Sequence, residues 1–216
     1  AEGLAQQTAA MDAAALMQAV GQPGQHPEGR FLPETYAWVR GDSDLDVLKR
    51  AHAAMVKALD EAWAARAPGL PLQDKEQALV LASLVEKETG IAEERPAIAG
   101  VFARRLAIGM RLQTDPTVIY GMGERYDGNI RRADLLADTP YNTYTRAGLP
   151  PTPIAMPGKA ALQAATRPAA GDALYFVAVG DGSGRHVFSR SLAEHNAAVR
   201  AYLQRYRAQR REAAAQ

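Results

Sequence analysis

Glu86 ends an apolar run. In Ala78-Leu79-Val80-Leu81-Ala82-Ser83-Leu84-Val85, seven of eight residues are apolar. Runs of this kind go into a core, where carboxylates are seldom placed without a partner or a task. Burial disfavours the ion, so a carboxyl there can hold its proton near neutral pH and serve as a general acid. The alternative is structural: Glu86 marks the solvated end of a buried helix and pairs with Lys87 or an arginine. The flanks predict that helix. Asp74 is an N-cap with Gln77 three residues on, and Gly90 is a C-terminal stop. Glu86 then lies in the last turn, where the negative end of the helix dipole adds to the preference for the acid form. At about 100° per residue, Glu86 and Glu88 point about 200° apart and do not serve one site. Glu86 is the candidate acid, and Glu88 is left with a salt bridge or an orienting contact.

The elements around this helix follow from periodicity and punctuation. Residues 1–20 read as an Ala- and Gln-rich helix broken by Gly21-Gln22-Pro23-Gly24. Gly29 to Tyr36 reads as extended. Ser43 or Asp44 caps a long helix to about Ala67, with Leu45, Leu48, Met55, Val56, Leu59 and Trp63 at helical spacing. Another helix runs from Pro96 to Gly109, a short one starts at Asp115-Pro116, and an Ala-rich one spans Lys159 to Thr166. Leu174 to Ser189 is a hairpin around the Gly-rich loop Gly180-Asp181-Gly182-Ser183-Gly184. Ser191 caps the last helix, with Glu194 three residues on. Strands and helices are segregated, which predicts an α+β fold: helices packed around a small, mainly antiparallel sheet, with the candidate Glu on a largely buried helix.

Composition excludes several classes. The 216 residues are 47% hydrophobic and 23% charged, ordinary for a globular protein, and the net charge of +1 supplies no field to draw nucleic acid. Without cysteine there is no disulfide framework or thiolate metal site. The histidines, His26, His52, His186 and His195, are scattered without ligand spacing, and no metal or cofactor is expected. His195 reads as a packing or hydrogen-bonding residue. There is no GxSxG elbow, and the Gly180–Gly184 loop lacks the Lys-Ser/Thr ending of a phosphate loop. The arginines after Leu203 read as a solvated helix face. No apolar run reaches the length of a membrane span. The chain starts at Ala1 rather than Met, as expected of a processed form or an expressed fragment, from which an anchor or signal could have been removed.

What remains is a candidate acid beside a long irregular stretch, Met110 to Gly158, rich in Tyr, Asn, Thr and Pro. Long irregular stretches inside a domain are more often functional than idle. Aromatic faces and neutral amides suit a carbohydrate cleft.

Several motifs, in order, carry a family resemblance. Leu81 to Thr89, Arg111-Leu112-Gln113-Thr114-Asp115-Pro116-Thr117-Val118-Ile119-Tyr120-Gly121, Tyr141-Asn142-Thr143-Tyr144, Gly148-Leu149-Pro150-Pro151 with Pro153-Ile154, Tyr175-Phe176-Val177 and His195-Asn196 resemble the YceG-like endolytic murein transglycosylases. The likeness runs from about Gly29 to Leu203. It implies a catalytic domain over 29–205. Residues 1–28 then form a helical leader, at most a remnant of an upstream LysM-like region, and 206–216 a polar Arg/Ala-rich tail.

The resemblance implies a lyase that cuts the MurNAc-β-1,4-GlcNAc bond within peptidoglycan strands. Glu86 would protonate the leaving oxygen and then help the muramyl 6-hydroxyl attack, leaving a 1,6-anhydro end. The nucleophile belongs to the substrate, so no second carboxylate is required, unlike ordinary glycosidases. Gln113, Thr114, Asp115, Tyr141, Asn142 and Tyr144 are the candidates for the cleft wall, with loop scaffolding as their alternative role. Implied partners are glycan strands and, in cell-wall assembly, penicillin-binding protein synthases; nucleic acid is not one. The implied location is the outer face of the bacterial inner membrane, through an N-terminal anchor absent from this chain. A water-using, lysozyme-like hydrolase and a non-catalytic glycan-binding scaffold are the competing readings.

Overall fold

The structure is a computed structural model that describes residues 3–214, with side chains as far as residue 211. The outermost residues of the leader and tail therefore lie outside the described residues. α1 (Ala13–Val20) and α2 (Asp44–Ala64) lead into α3 (Lys75–Glu88) and, after a 3-10 turn, α4 (Arg95–Ala107). Then come α5 (Asp115–Met122), α6 (Arg132–Leu136) and α7 (Lys159–Thr166). The hairpin β1 (Tyr175–Ala178) and β2 (His186–Ser189) precedes α8 (Leu192–Ala214).

α3 is the centre of the molecule because of its apolar run. Ala78 to Val85 are all buried, Ser83 included, and α2, α4 and α7 pack round them. Ser83 is tolerated because its hydroxyl is satisfied twice: it donates to Val80 O at 2.7 Å and accepts Ile154 N–H at 3.0 Å. The second bond ties the irregular Pro-rich stretch to the central helix. The predicted cap is present, with Asp74 accepting Gln77 N–H at 2.8 Å. α2 starts with a Ser43–Asp46 capping box and buries Ala51, Met55, Ala58, Leu59 and Ala62, one face at helical spacing. Gly100 lets α4 approach its neighbour: a Cβ there would stand 2.6 Å from Ala169 O.

The fold is α+β. Its sheet is one antiparallel hairpin, Tyr175 opposite Ser189 and Ala178 opposite His186. The hairpin covers one edge of the helical core, where Phe176 meets Phe102 edge-on at 5.8 Å. α8 then lies along both strands.

Two local expectations change. The leader is helical only over Ala13–Val20, because Asp12 caps α1 by accepting Ala15 N–H at 2.8 Å. The residues before it are pinned to α2 instead, Gln7 N–H and the Thr8 hydroxyl donating to Asp44 at 2.8 and 2.6 Å. Met17 of α1 is fully buried against Phe31 and Ala51. α6, within the stretch read as irregular, is a five-residue turn held by Asp134, which accepts Arg131 N–H at 2.8 Å.

Candidate active site

The end of α3 separates the two glutamates as the helical period requires. Glu88, its last residue, faces a cleft of about 400 Å³ lined by Arg105, Leu112, Gln113, Thr114, Asp115, Tyr144, Tyr175, Phe176, Val177, Leu192 and His195. Its carboxylate accepts the Thr114 hydroxyl at 2.6 Å. Burial pushes the Glu88 carboxyl up from its ordinary range, and the nearby Asp115 adds to the rise. The Thr114 hydrogen bond and the charges of His186 and Arg105 pull the other way without cancelling it.

Glu86 is not among the residues that line this cleft. Its Oε2 accepts Gly158 N–H at 3.0 Å, the residue that precedes α7. A carboxylate there lies at the positive end of a helix dipole. Glu86 therefore has a helix-tethering contact, and the expected cleft-wall residues Gln113, Thr114, Asp115 and Tyr144 gather round Glu88 instead.

The loop before α5 holds its shape through Thr143. Gln113 N–H donates to Thr143 O at 3.2 Å, and Thr114 N–H donates to Thr143 Oγ1 at 3.1 Å. Gln113 has a φ of 50°, the sole positive value for a non-glycine among the described residues. A left-handed Gln costs about 1–3 kcal/mol and persists where its surroundings impose it. The effect is to turn Gln113 outward at the cleft mouth and Thr114 inward to Glu88. Thr114 occupies the N-cap position of α5 without capping it, since its hydroxyl is committed to Glu88. Tyr144, next to Thr143, donates its hydroxyl to Asp115 at 2.5 Å.

Asn142 and Tyr141 stand elsewhere. Asn142 is 1% exposed. Its amide nitrogen donates to the carbonyls of Asp134, Leu135 and Ala137, and its oxygen accepts Tyr144 N–H at 2.8 Å. Both N–H donors and the oxygen of that buried amide are engaged inside the loop, so Asn142 closes the turn. Tyr141 packs on Tyr120 with ring centroids 4.8 Å apart and shares a hydrogen bond with Thr152 Oγ1 at 2.8 Å. Neither residue lines the Glu88 cleft.

Three cleft residues escaped the sequence reading of the site. Arg105, 6% exposed, donates to the carbonyls of Leu174 and Leu112, each at 2.6 Å, and so fastens the hairpin and the 112 loop to α4. Tyr175 lies between Arg105, 5.3 Å from its ring, and His195, stacked at 5.2 Å. Burial and the charge of Arg105 hold the His195 imidazole below its ordinary pKa, favouring the neutral ring. Tyr175 and His195 both belong to family-like motifs. The signal was present but was not tied to the acid, because sequence spacing alone does not bring positions 88, 105, 175 and 195 together.

No group of three or more His, Cys, Asp or Glu that could hold a metal ion occurs among the described residues, and no described helix is long and apolar enough to cross a membrane.

The chain is similar to the endolytic murein transglycosylase of Bacillus subtilis, at 37% identity over 83% of this chain and 49% of that protein. It is 33% identical to the enzyme of the same name from Streptococcus pneumoniae strain D39, over 78% of this chain and 32% of that protein. It thus spans about half of the first relative and a third of the second. A crystal structure of a YceG-like protein from Listeria monocytogenes superposes with a TM-score of 0.69 at 33% identity, covering 85% of this chain and 62% of that one. The profile of the YceG-like family matches residues 1–201, and the chain belongs to that family.

Proposed function

We propose that this chain is the catalytic region of an endolytic murein transglycosylase and that Glu88, rather than Glu86, is its acid. The observation that carries the reading is the Glu88 carboxyl on the cleft floor, desolvated, oriented by Thr114 and surrounded by Gln113, Asp115 and Tyr144. A carboxyl that keeps its proton can protonate the leaving glycosidic oxygen. The resulting carboxylate then takes the proton of the muramyl 6-hydroxyl as that oxygen attacks the anomeric carbon, which closes the 1,6-anhydro ring. Arg105 stabilises the carboxylate that forms between the two steps. Neutral His195 and the rim side chains Gln113 and Tyr144 are positioned to meet sugar hydroxyls and acetamido groups. Strand termination beside a penicillin-binding synthase, at the outer face of the inner membrane, is the cellular setting that fits this chemistry.

Digestion of purified glycan strands followed by mass spectrometry tests the reaction. Anhydro ends support the lyase. Reducing ends instead identify a hydrolase, and intact strands leave a glycan-binding domain. One observation favours the hydrolase as the second reading: Asp115 lines the same cleft as Glu88, and a carboxylate pair is what ordinary glycosidases use. Asp115→Asn separates the two. Activity is retained when the substrate supplies the nucleophile and is lost when Asp115 activates water.

A further inference from the structure

Away from the Glu88 cleft, α2, α4 and α7 enclose a groove of about 620 Å³. Much of its surface is methyl groups from α2 and α7, Ala62 and Ala164 among them. Its charged residues are three cations, Arg95, Lys159 and Arg167, against one carboxylate, Glu61. Glu61 is already shared with Lys57 at 3.9 Å, and Lys159 stands 4.0 Å from Glu34. Among the described residues, Arg95 and Arg167 have no ion pair. The Nε of Arg95 is also shut off from water without a hydrogen-bond partner. Arg95 opens α4, so the positive end of that helix dipole adds to the same field, whereas the start of α7, which Lys159 opens, is already met by Glu86.

We infer that this groove holds the carboxylate-bearing peptide stem of the glycan strand that the cleft cuts. The inference rests on the function proposed above. Arg95 and Arg105 belong to one helix, with about 15 Å of its axis between them. The two arginines project about 80° apart round that helix, and the assignment requires a strand seated in the cleft to continue along α4 so that a neighbouring stem meets Arg95. Stem peptides join alanine methyl groups to free carboxylates. A methyl-lined groove walled by arginines complements both, because guanidinium forks bind carboxylates in two-point contacts. In a stem-bearing strand the muramyl lactyl carboxyl is tied up in the amide to the stem, so the negative charge offered to such a groove comes from the stem.

Titration calorimetry on the Glu88→Gln chain tests the assignment with three probes: stem-bearing strands, the same strands stripped of peptide by an amidase and with the freed lactyl carboxylates then amidated, and stem-bearing strands with amidated stem carboxylates. Stem-bearing strands should bind about tenfold tighter than either of the others. The double variant Arg95→Gln/Arg167→Gln should lose that preference and keep the affinity for stripped strands and the thermal midpoint. Equal affinity for all three probes, or a preference that survives the double variant, overturns the inference. The underlying function fails in a different way: the wild-type chain then cleaves no strand, while a free stem peptide still binds in an Arg95-dependent manner.

Discussion

The carboxylate of Glu88 accepts the hydroxyl of Thr114 at 2.6 Å, joining the last residue of α3 to the residue that precedes α5. This contact singles out one of two glutamates that the sequence places two residues apart. It also supplies the hydrogen bond that holds the carboxyl in a fixed orientation while burial keeps its proton affinity high.

Glu88→Gln is expected to lower glycan cleavage by about 10²–10⁴-fold, the usual contribution of a general acid, with the fold intact. Glu86→Gln is expected to keep most of the activity. Glu86→Ala should instead cost about 1 kcal/mol of stability through the lost hydrogen bond to Gly158 N–H. Release of anhydro-muropeptides and thermal melts, measured on both positions, check this. An inactive, folded Glu86→Gln beside an active Glu88→Gln returns the acid to position 86.

The raised Glu88 carboxyl makes a prediction about stability and pH. In the unfolded chain it titrates near 4.3, and in the folded protein higher. The folded state therefore binds the proton more tightly, and stability falls as pH rises through the window between the two values. Gln mimics the protonated form. Glu88→Gln should thus be more stable than the wild type at neutral pH, with the gap closing below about pH 4. A melting series from pH 3 to 8 showing a constant gap would falsify the desolvated-acid assignment.

Thr114→Val removes a hydrogen bond that favours the Glu88 carboxylate. The alkaline limb of the cleavage profile, where the acid loses its proton, should move to higher pH while the maximal rate falls through looser orientation. A limb that stays in place would show that Thr114 is only a loop support.

Asn142→Ala should destabilise the protein by about 1–3 kcal/mol, because buried carbonyls of the 134–137 turn and Tyr144 N–H lose their partner. Glycan affinity, titrated on the Glu88→Gln background well below the melting transition, should not change. A weakened affinity with an unchanged melting temperature would put Asn142 back on the cleft wall.

The elements were largely legible because their causes are local. Asp74 and Ser43 cap the helices they were expected to cap, the Leu174–Ser189 hairpin forms, and the Ala78–Val85 run is buried along its whole length. Each follows from a cap, a turn or a periodicity within a few residues. The leader helix was overextended because Asp44 competes for its backbone from across the chain, which no local pattern records.

By itself the sequence determined that one apolar helix carries two glutamates on opposite sides, that a polar, aromatic stretch follows it, and that the fold is α+β. Only the tertiary structure decided which glutamate meets the Gln113, Thr114, Asp115 and Tyr144 side of that stretch. The choice depends on what packs against each side of the end of α3: the first turn of α7 at Glu86, and the 113–115 loop, held by Thr143, at Glu88. The same holds for Asn142, whose amide suits a sugar as well as a turn until three carbonyls converge on it. Residue type and spacing set what a side chain is able to do. Long-range packing sets its dielectric surroundings and its partners, and those decide what it does.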